Sequence, residues 1–509
     1  MSGDATSARA SDGFARTPLA GDTARAQLVG LFAAAVSFAW FALLALARWD
    51  LGRTTSYDLG IFSQGAQQWS TGHLPRSFIR GPHTLLADHF SPVTAVFGVA
   101  WRIWPDPRAL LLTQALCLAV AVGVMAGIAA IRIGTWAGFA VLVLGAVGRA
   151  LVAGDLFDVH EVCFAAPLMA LLVWAMLWRR LRWVVVACVL LLTVKEDLGL
   201  TVVAAGALWW WRGWWRAHGP SAEHRARREG LLLIALGVVG TIVATAVIAH
   251  FNPSGHSDYL SYFGGDGELA GSSAAPVHGL DLLGRAGPIV FFTAACLVFG
   301  WRSNLTWLAL PTLAWRTIST NPHYWSSRYH YAVDLAPIAL GAAIEAWPYA
   351  VAWCRRRRIA PPVLTCVVLA SAALTIGGGI ESLTHQQISP LAAFHTSDRV
   401  HDLQRVAARL PDGARVAAQN NLGPYLVADH QVTMLGTGRP ERVSYAVFTL
   451  GDRSTFQASP CQRATYLRMS REPQRDWHVT RVGSVLLIRF PTPRPAGLPT
   501  CDQDRAPGQ

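Results

Sequence analysis

Apolar runs of about 20 residues are long enough to cross a bilayer, and roughly eleven candidate runs lie along this chain. They fall near 27–47, 108–130, 135–153, 162–178, 183–194, 198–211, 230–250, 287–300, 303–318, 332–350 and 361–380. The turns between them alternate in kind. One set is rich in arginine: Arg179, Arg180 and Arg182; Arg212, Arg216, Arg225, Arg227 and Arg228; and the block Arg355 to Arg358. The other set holds Asp, Glu, His and Tyr. Excess positive charge marks cytoplasmic loops. This places the N-terminus in the cytoplasm and residues 381–509 outside the membrane. The polar opening, residues 1–26, reads as a disordered cytoplasmic tail, too long before the first span for a simple signal peptide.

Two stretches break the span pattern. Residues 61–69 suit an interfacial helix, with Ile61, Phe62 and Trp69 as apolar contacts. Residues 93–104 are apolar but too short to span comfortably, and they end at Pro105. They read as a re-entrant or juxtamembrane helix.

After Gly378 the pattern changes. Residues 398–410 have helical spacing, and PDGARVAAQ reads as a turn followed by a strand. Further strands are expected at 431–435, 443–449 and 483–490. The expected fold is therefore mainly α: a polytopic membrane domain over 27–380, followed by a small extracytoplasmic α/β domain over 381–509. That domain is either a structural cap or an acceptor-binding lid.

Composition supports a membrane protein. Hydrophobic residues make up 52% of the chain and charged residues 15%, against about 25% charged in soluble domains. The 21 Trp suit interfacial belts. The net charge of +12 is gathered in alternate loops, which argues against nucleic acid as a partner. Of the 8 Cys, Cys117, Cys163, Cys188, Cys296 and Cys366 sit in or beside apolar spans and are expected as buried filler. Cys461 and Cys501 lie in the outer tail, where a disulfide is permitted.

The acid-bearing turns carry the candidate chemistry. Asp58 follows the first span, in Tyr57-Asp58-Leu59-Gly60. It reads either as a general base at the membrane surface or as the N-cap of the helix after it. His89, in Asp88-His89-Phe90-Ser91-Pro92, is available to phosphate, hydroxyl or metal, or is a polar boundary residue. Asp155, Asp158, His160 and Glu161 fall within one short turn. Their types suit a divalent cation, but no complete ligand set is visible. Lys195, Glu196 and Asp197 end a span. Lys195 is the only lysine in the chain. It suits either neutralising a phosphate or an internal pair with Glu196 or Asp197. The last cluster holds His323, Tyr324, Arg328, Tyr329 and His330. Arg328 has the fork that clamps a phosphate, and the aromatics suit a sugar or the lipid interface.

Taken in order, YDLGIFSQGAQQW, DHFSP, FDVHE, TVKEDLGL and SSRYHY resemble a bacterial and archaeal family of multipass membrane proteins catalogued as a domain of unknown function. The resemblance covers roughly residues 27–450. That family is in turn similar to the GT-C glycosyltransferases, which use lipid-phosphate sugars and carry a catalytic acid in the first outer loop. The resemblance implies that Asp58 is this acid, and that Asp155, Asp158 or Glu161 is the acid of the second loop. The chain departs from the best-known branches in having Asp-Leu-Gly where they have paired acids. The implied donor is a polyprenyl-phosphate sugar, with its tail among the spans and its phosphate on Lys195 and Arg328. The implied acceptor is an envelope glycan, lipid or protein. A transporter or flippase is the rival reading, but no clear internal repeat is present and the charges lie at span ends. A non-catalytic envelope-assembly protein is a second rival.

Overall fold

The computed structural model describes residues 20–81, 83–216, 220–256, 279–435, 443–449 and 477–490. Cys461 and Cys501 lie outside these described residues. The helices are α1 (Ala20–Asp50), α2 (Ile61–Ser70), α3 (Ala95–Ile103), α4 (Pro107–Arg132), α5 (Thr135–Val147), α6 (Arg149–Asp155), α7 (Ala165–Leu177) and α8 (Leu181–Leu191). They continue with α9 (Leu198–Arg216), α10 (Pro220–Phe251), α11 (Gly279–Ala295), α12 (Leu310–Ile318), α13 (Pro322–Trp325), α14 (Leu335–Arg356), α15 (Pro361–His385) and α16 (Asp398–Ala407). The expected tail reaches too far, since α1 already begins at Ala20.

Among the described residues, five helices are long and apolar enough to cross a membrane: α1, α4, α10, α14 and α15. The pair α5 and α6, bent by 42° at Gly148, makes a sixth if counted as one span. The expected count of about eleven is not confirmed: five or six candidates are long enough, and further apolar helices among the described residues are shorter. Hydropathy measures the length of an apolar run and not its continuity. The run at 183–194 yields only α8, and 303–318 is divided between a 3-10 segment at Asn304–Ala309 and α12.

Helices α1 and α4 pack closely because small residues face each other. A Cβ added at Gly30 would lie 2.9 Å from the carbonyl oxygen of Gly123. Close backbone approach of this kind suits helix association in lipid, where burial against water supplies no drive. Asp106 starts α4 by accepting from the Arg108 backbone N–H at 2.8 Å, with Pro107 at the first helical position. Helix α3 buries Phe97 and Trp101 and leaves Val96, Val99 and Ile103 exposed. That exposed apolar stripe suits a helix lying along a membrane surface. Cys163, Cys188 and Cys296 are buried as expected, whereas Cys366 is exposed on α15.

The C-terminal part forms a five-stranded sheet in the order β2-β1-β3-β5-β4. Its strands are β1 (Arg415–Ala418), β2 (Gln431–Met434), β3 (Tyr445–Thr449), β4 (His478–Val482) and β5 (Val485–Arg489). Strand β1 runs parallel to β2 and β3, while β5 is antiparallel to β3 and β4. Helix α16 buries Leu403 and Val406 in one cluster with Val416, Val432, Val447 and Leu487 of the sheet. Asp402 of α16 accepts from the Ser484 backbone N–H at 2.8 Å and from its hydroxyl at 3.1 Å, which anchors the β4–β5 hairpin. Gly483 turns that hairpin with φ of 56°. A Cβ there would strike the Asp402 carboxylate.

Candidate active site

Asp58 sits in a π-helical turn, Ser56–Gly60, immediately before α2. It does not cap α2, because Gly60 holds that position. The turn is fixed from the sheet side. The Ser56 backbone N–H donates to the Asn420 carbonyl at 2.6 Å, and the Tyr57 N–H donates to Asn420 Oδ1 at 3.0 Å. Gln64 and Gln67 of α2 donate to the carbonyls of Val432 and Val427 at 2.8 and 2.6 Å. The expected interfacial helix is therefore bound to the α/β domain by its polar residues. Its Phe62 packs toward Phe97 and His160.

The turn 155–161 sends three of its four polar side chains to different partners and buries the fourth without one. Asp158 is almost fully buried and both its oxygens are engaged. Arg48 Nε donates to Oδ1 at 2.8 Å, while the Thr55 backbone N–H and hydroxyl donate to Oδ2 at 2.9 and 2.7 Å. Asp158 also adopts a left-handed φ of 55°, a conformation Asp tolerates better than most residues. It holds the Asp58 turn against α1. His160 Nε2 lies 3.3 Å from Asp58 Oδ1. Glu161 pairs with Lys195 at 3.1 Å. Asp155 is fully buried, and neither carboxyl oxygen has a hydrogen-bond partner among the described residues. Among these residues no group of three or more His, Cys, Asp or Glu is arranged to hold a metal ion.

Lys195 is thus paired, but with Glu161 and not with its neighbours Glu196 or Asp197. Glu196 instead accepts from the Phe90 backbone N–H at 3.1 Å and meets His89 Nδ1 at 2.7 Å. Asp197 is within electrostatic reach of Lys195, Glu196, Asp334 and His89. Because His160 and Glu161 are adjacent in sequence, one backbone step joins the Asp58 contact to the Lys195 contact.

The 323–331 segment closes another side. His160 stacks on His330 with centroids 3.6 Å apart and planes 19° apart. Phe157 touches His160, Tyr329 and His330. His323 Nδ1 lies 2.8 Å from the Tyr329 hydroxyl, and Tyr324 packs edge-on against Tyr331. The buried Arg316 shapes this segment by donating to the carbonyls of Tyr324, Tyr331 and Ser326 at 2.8, 3.0 and 3.0 Å. Arg328 is turned away. It is half exposed and pairs with Glu381 at 2.9 Å, a carboxylate shared with Arg149 at 2.7 Å.

Beside this cluster lies an apolar pocket walled by Leu144, Phe291, Phe292, Leu335 and Ala339, with Arg149 and Ser327 also lining it. Sequence reasoning passed over Arg48, Gln114, Arg316 and Asn420. Gln114 accepts from the His160 backbone N–H at 3.1 Å and donates to the Asp158 carbonyl. The arginines carried a usable signal: Arg48 and Arg316 stand apart from the Arg-rich loops. Gln114 and Asn420 carried none.

The sequence matches the family described as "Predicted membrane protein (DUF2079)" over residues 48–445. The chain belongs to this family. A search of curated proteins finds no match. Among solved structures, the chain is similar to ArnT from Cupriavidus metallidurans bound to undecaprenyl phosphate. The TM-score is 0.51 and the identity 16%, over 91% of this chain and 97% of that one. It is also similar to the same organism's ArnT in the apo state, with a TM-score of 0.50 and 17% identity over 90% and 97% of the two chains. The DUF2079 chain therefore shares its fold with a GT-C glycosyltransferase across nearly its whole length.

Proposed function

We propose that this DUF2079 protein is a membrane glycosyltransferase that moves a sugar from a polyprenyl-phosphate donor to an extracytoplasmic envelope acceptor. The observation that carries the reading is a partly exposed carboxylate, Asp58, on the loop after the first span and close to a lysine–glutamate pair. It is supported by the likeness to ArnT bound to undecaprenyl phosphate. Asp58 takes the proton of an acceptor hydroxyl as that oxygen attacks the anomeric carbon. Lys195 stabilises the departing lipid phosphate, in competition with Glu161. The donor's isoprenoid tail occupies the apolar pocket, with Arg149 on its wall and Arg328 beside Arg149 through Glu381. Direct displacement makes the reaction inverting.

The test is sugar transfer from a panel of polyprenyl-phosphate donors in vesicles. Asp58→Asn is expected to lower turnover by about 10²-fold or more with little effect on donor binding. Full transfer by a folded Asp58→Asn protein would overturn the assignment of the base.

A further inference from the structure

The setting of His160 says more about Asp58 than its position alone. The imidazole stacks on His330 with centroids 3.6 Å apart, Phe157 lies beside both rings, and Phe62 packs edge-on. Its backbone is fixed by Gln114. Among the described residues Nε2 faces Asp58 Oδ1 at 3.3 Å. Nδ1 is buried and has no hydrogen-bond partner among the described residues. A neutral imidazole has one N–H and one bare nitrogen. With its proton on Nε2, the ring donates to the carboxylate and buries only a lone pair. A second proton on Nδ1 would bury an unmet donor.

The other oxygen of Asp58 has a different environment. Thr55 Oγ1 lies 3.4 Å from Asp58 Oδ2 and 2.7 Å from Asp158 Oδ2. A hydroxyl has a single proton, and the shorter contact to Asp158 takes it. Oδ2 of Asp58 is left available.

We infer that His160 is a positioning residue: it donates from Nε2 to Asp58 Oδ1, fixes the carboxylate plane, and leaves Oδ2 to receive the acceptor's proton. A base oriented by a third group is the general logic of such sites. In the step, the acceptor O–H bond breaks and its proton goes to Oδ2. The acceptor oxygen forms a bond to the anomeric carbon. The bond from that carbon to the phosphate oxygen breaks, and its electron pair leaves with the lipid phosphate. The catalytic part of this inference rests on the glycosyltransferase reading; the 3.3 Å contact itself does not.

Two substitutions separate the donor from the stack. His160→Gln places an N–H near the position of Nε2, and His160→Phe keeps the ring but has no donor. With the transfer assay, His160→Gln is expected to keep kcat within about 10-fold, while His160→Phe loses about 10²-fold at unchanged KM for the donor lipid. Equal activity of the two variants would overturn the inference. A thermal-melting cycle with Asp58→Asn reads the same bond without turnover. His160→Phe is expected to destabilise the wild type more than it destabilises Asp58→Asn. Additive shifts would also overturn it. A coupled melting cycle in a protein that transfers no sugar would retain the hydrogen bond and refute the glycosyltransferase reading and the catalytic role of His160 with it.

Discussion

Gly423 of the C-terminal domain meets Ser56, two residues before Asp58, so closely that a Cβ at 423 would lie 2.0 Å from the serine Oγ. Ser56 is itself fully buried. The α/β domain therefore closes directly on the turn that carries Asp58. Ser56 and Tyr57 are bound to Asn420 of that domain, and the Tyr425 hydroxyl donates to the Trp49 carbonyl at 2.6 Å at the end of α1. The domain is thus bound to this turn and to the end of α1 by direct contacts. Gly423→Val should displace the Asp58 turn. We expect sugar transfer to fall at least about 10-fold, since small misplacements of a reacting group are costly. Protease cleavage near 386–398 should rise. Unchanged transfer by a folded Gly423→Val protein would show that the contact is dispensable.

Lys195→Met keeps an unbranched apolar stem and removes the cation. It should weaken both donor binding and turnover, because bound and departing phosphate both lose a charge partner. It also strands the buried Glu161, which costs about 3–5 kcal/mol when a buried partner is lost. The control is the double variant Lys195→Met/Glu161→Gln. Its stability should recover toward wild type while donor binding stays weak. Recovery of both would mean that Lys195 acts only through its pair with Glu161.

The membrane orientation has a simple reading. Reporter fusions after residue 220 and at residue 505 should report cytoplasm and exterior respectively. The same compartment for both would remove the argument that the acid-bearing turns face outward.

The α/β domain should show an acid-sensitive anchor at Asp402. Burial raises its pKa, but the Ser484 backbone N–H, Arg405 and the Ser484 hydroxyl outweigh this and hold it below the ordinary carboxylate value. A carboxylate lowered in the folded state adds stability above its unfolded pKa, and that stability is lost as pH falls through the folded value. Asp402→Asn should therefore lower the melting temperature at neutral pH, and the gap to wild type should close in acid. A gap that is independent of pH would point to packing alone.

Much of the architecture was legible in the chain because membranes and strands impose strict periods. Apolar length marked α1, α4, α10, α14 and α15. The GSVLLIRF run marked β5. Strand β4 was missed: HVTRV carries alternating polar residues at a sheet edge, with little apolar signal to find. The span count is not confirmed where apolar runs are broken by 3-10 turns and bends, because hydropathy does not record helix continuity.

The sequence by itself determined which residue types stand at the ends of the spans, and so that Asp58, His160, Glu161 and Lys195 were available for chemistry. Only the tertiary structure decided the partners. Sequence proximity suggested Lys195 with Glu196 or Asp197, yet Glu161 takes the lysine and His89 takes Glu196. Asp158, expected as a candidate acid, is held by Arg48 and Thr55, while Asp58 keeps an open oxygen beside His160. These choices depend on contacts between residues far apart in sequence, such as Tyr57 and Asn420, which are 363 positions apart. Local spacing fixes which face a side chain leaves from, and long-range packing fixes what it meets.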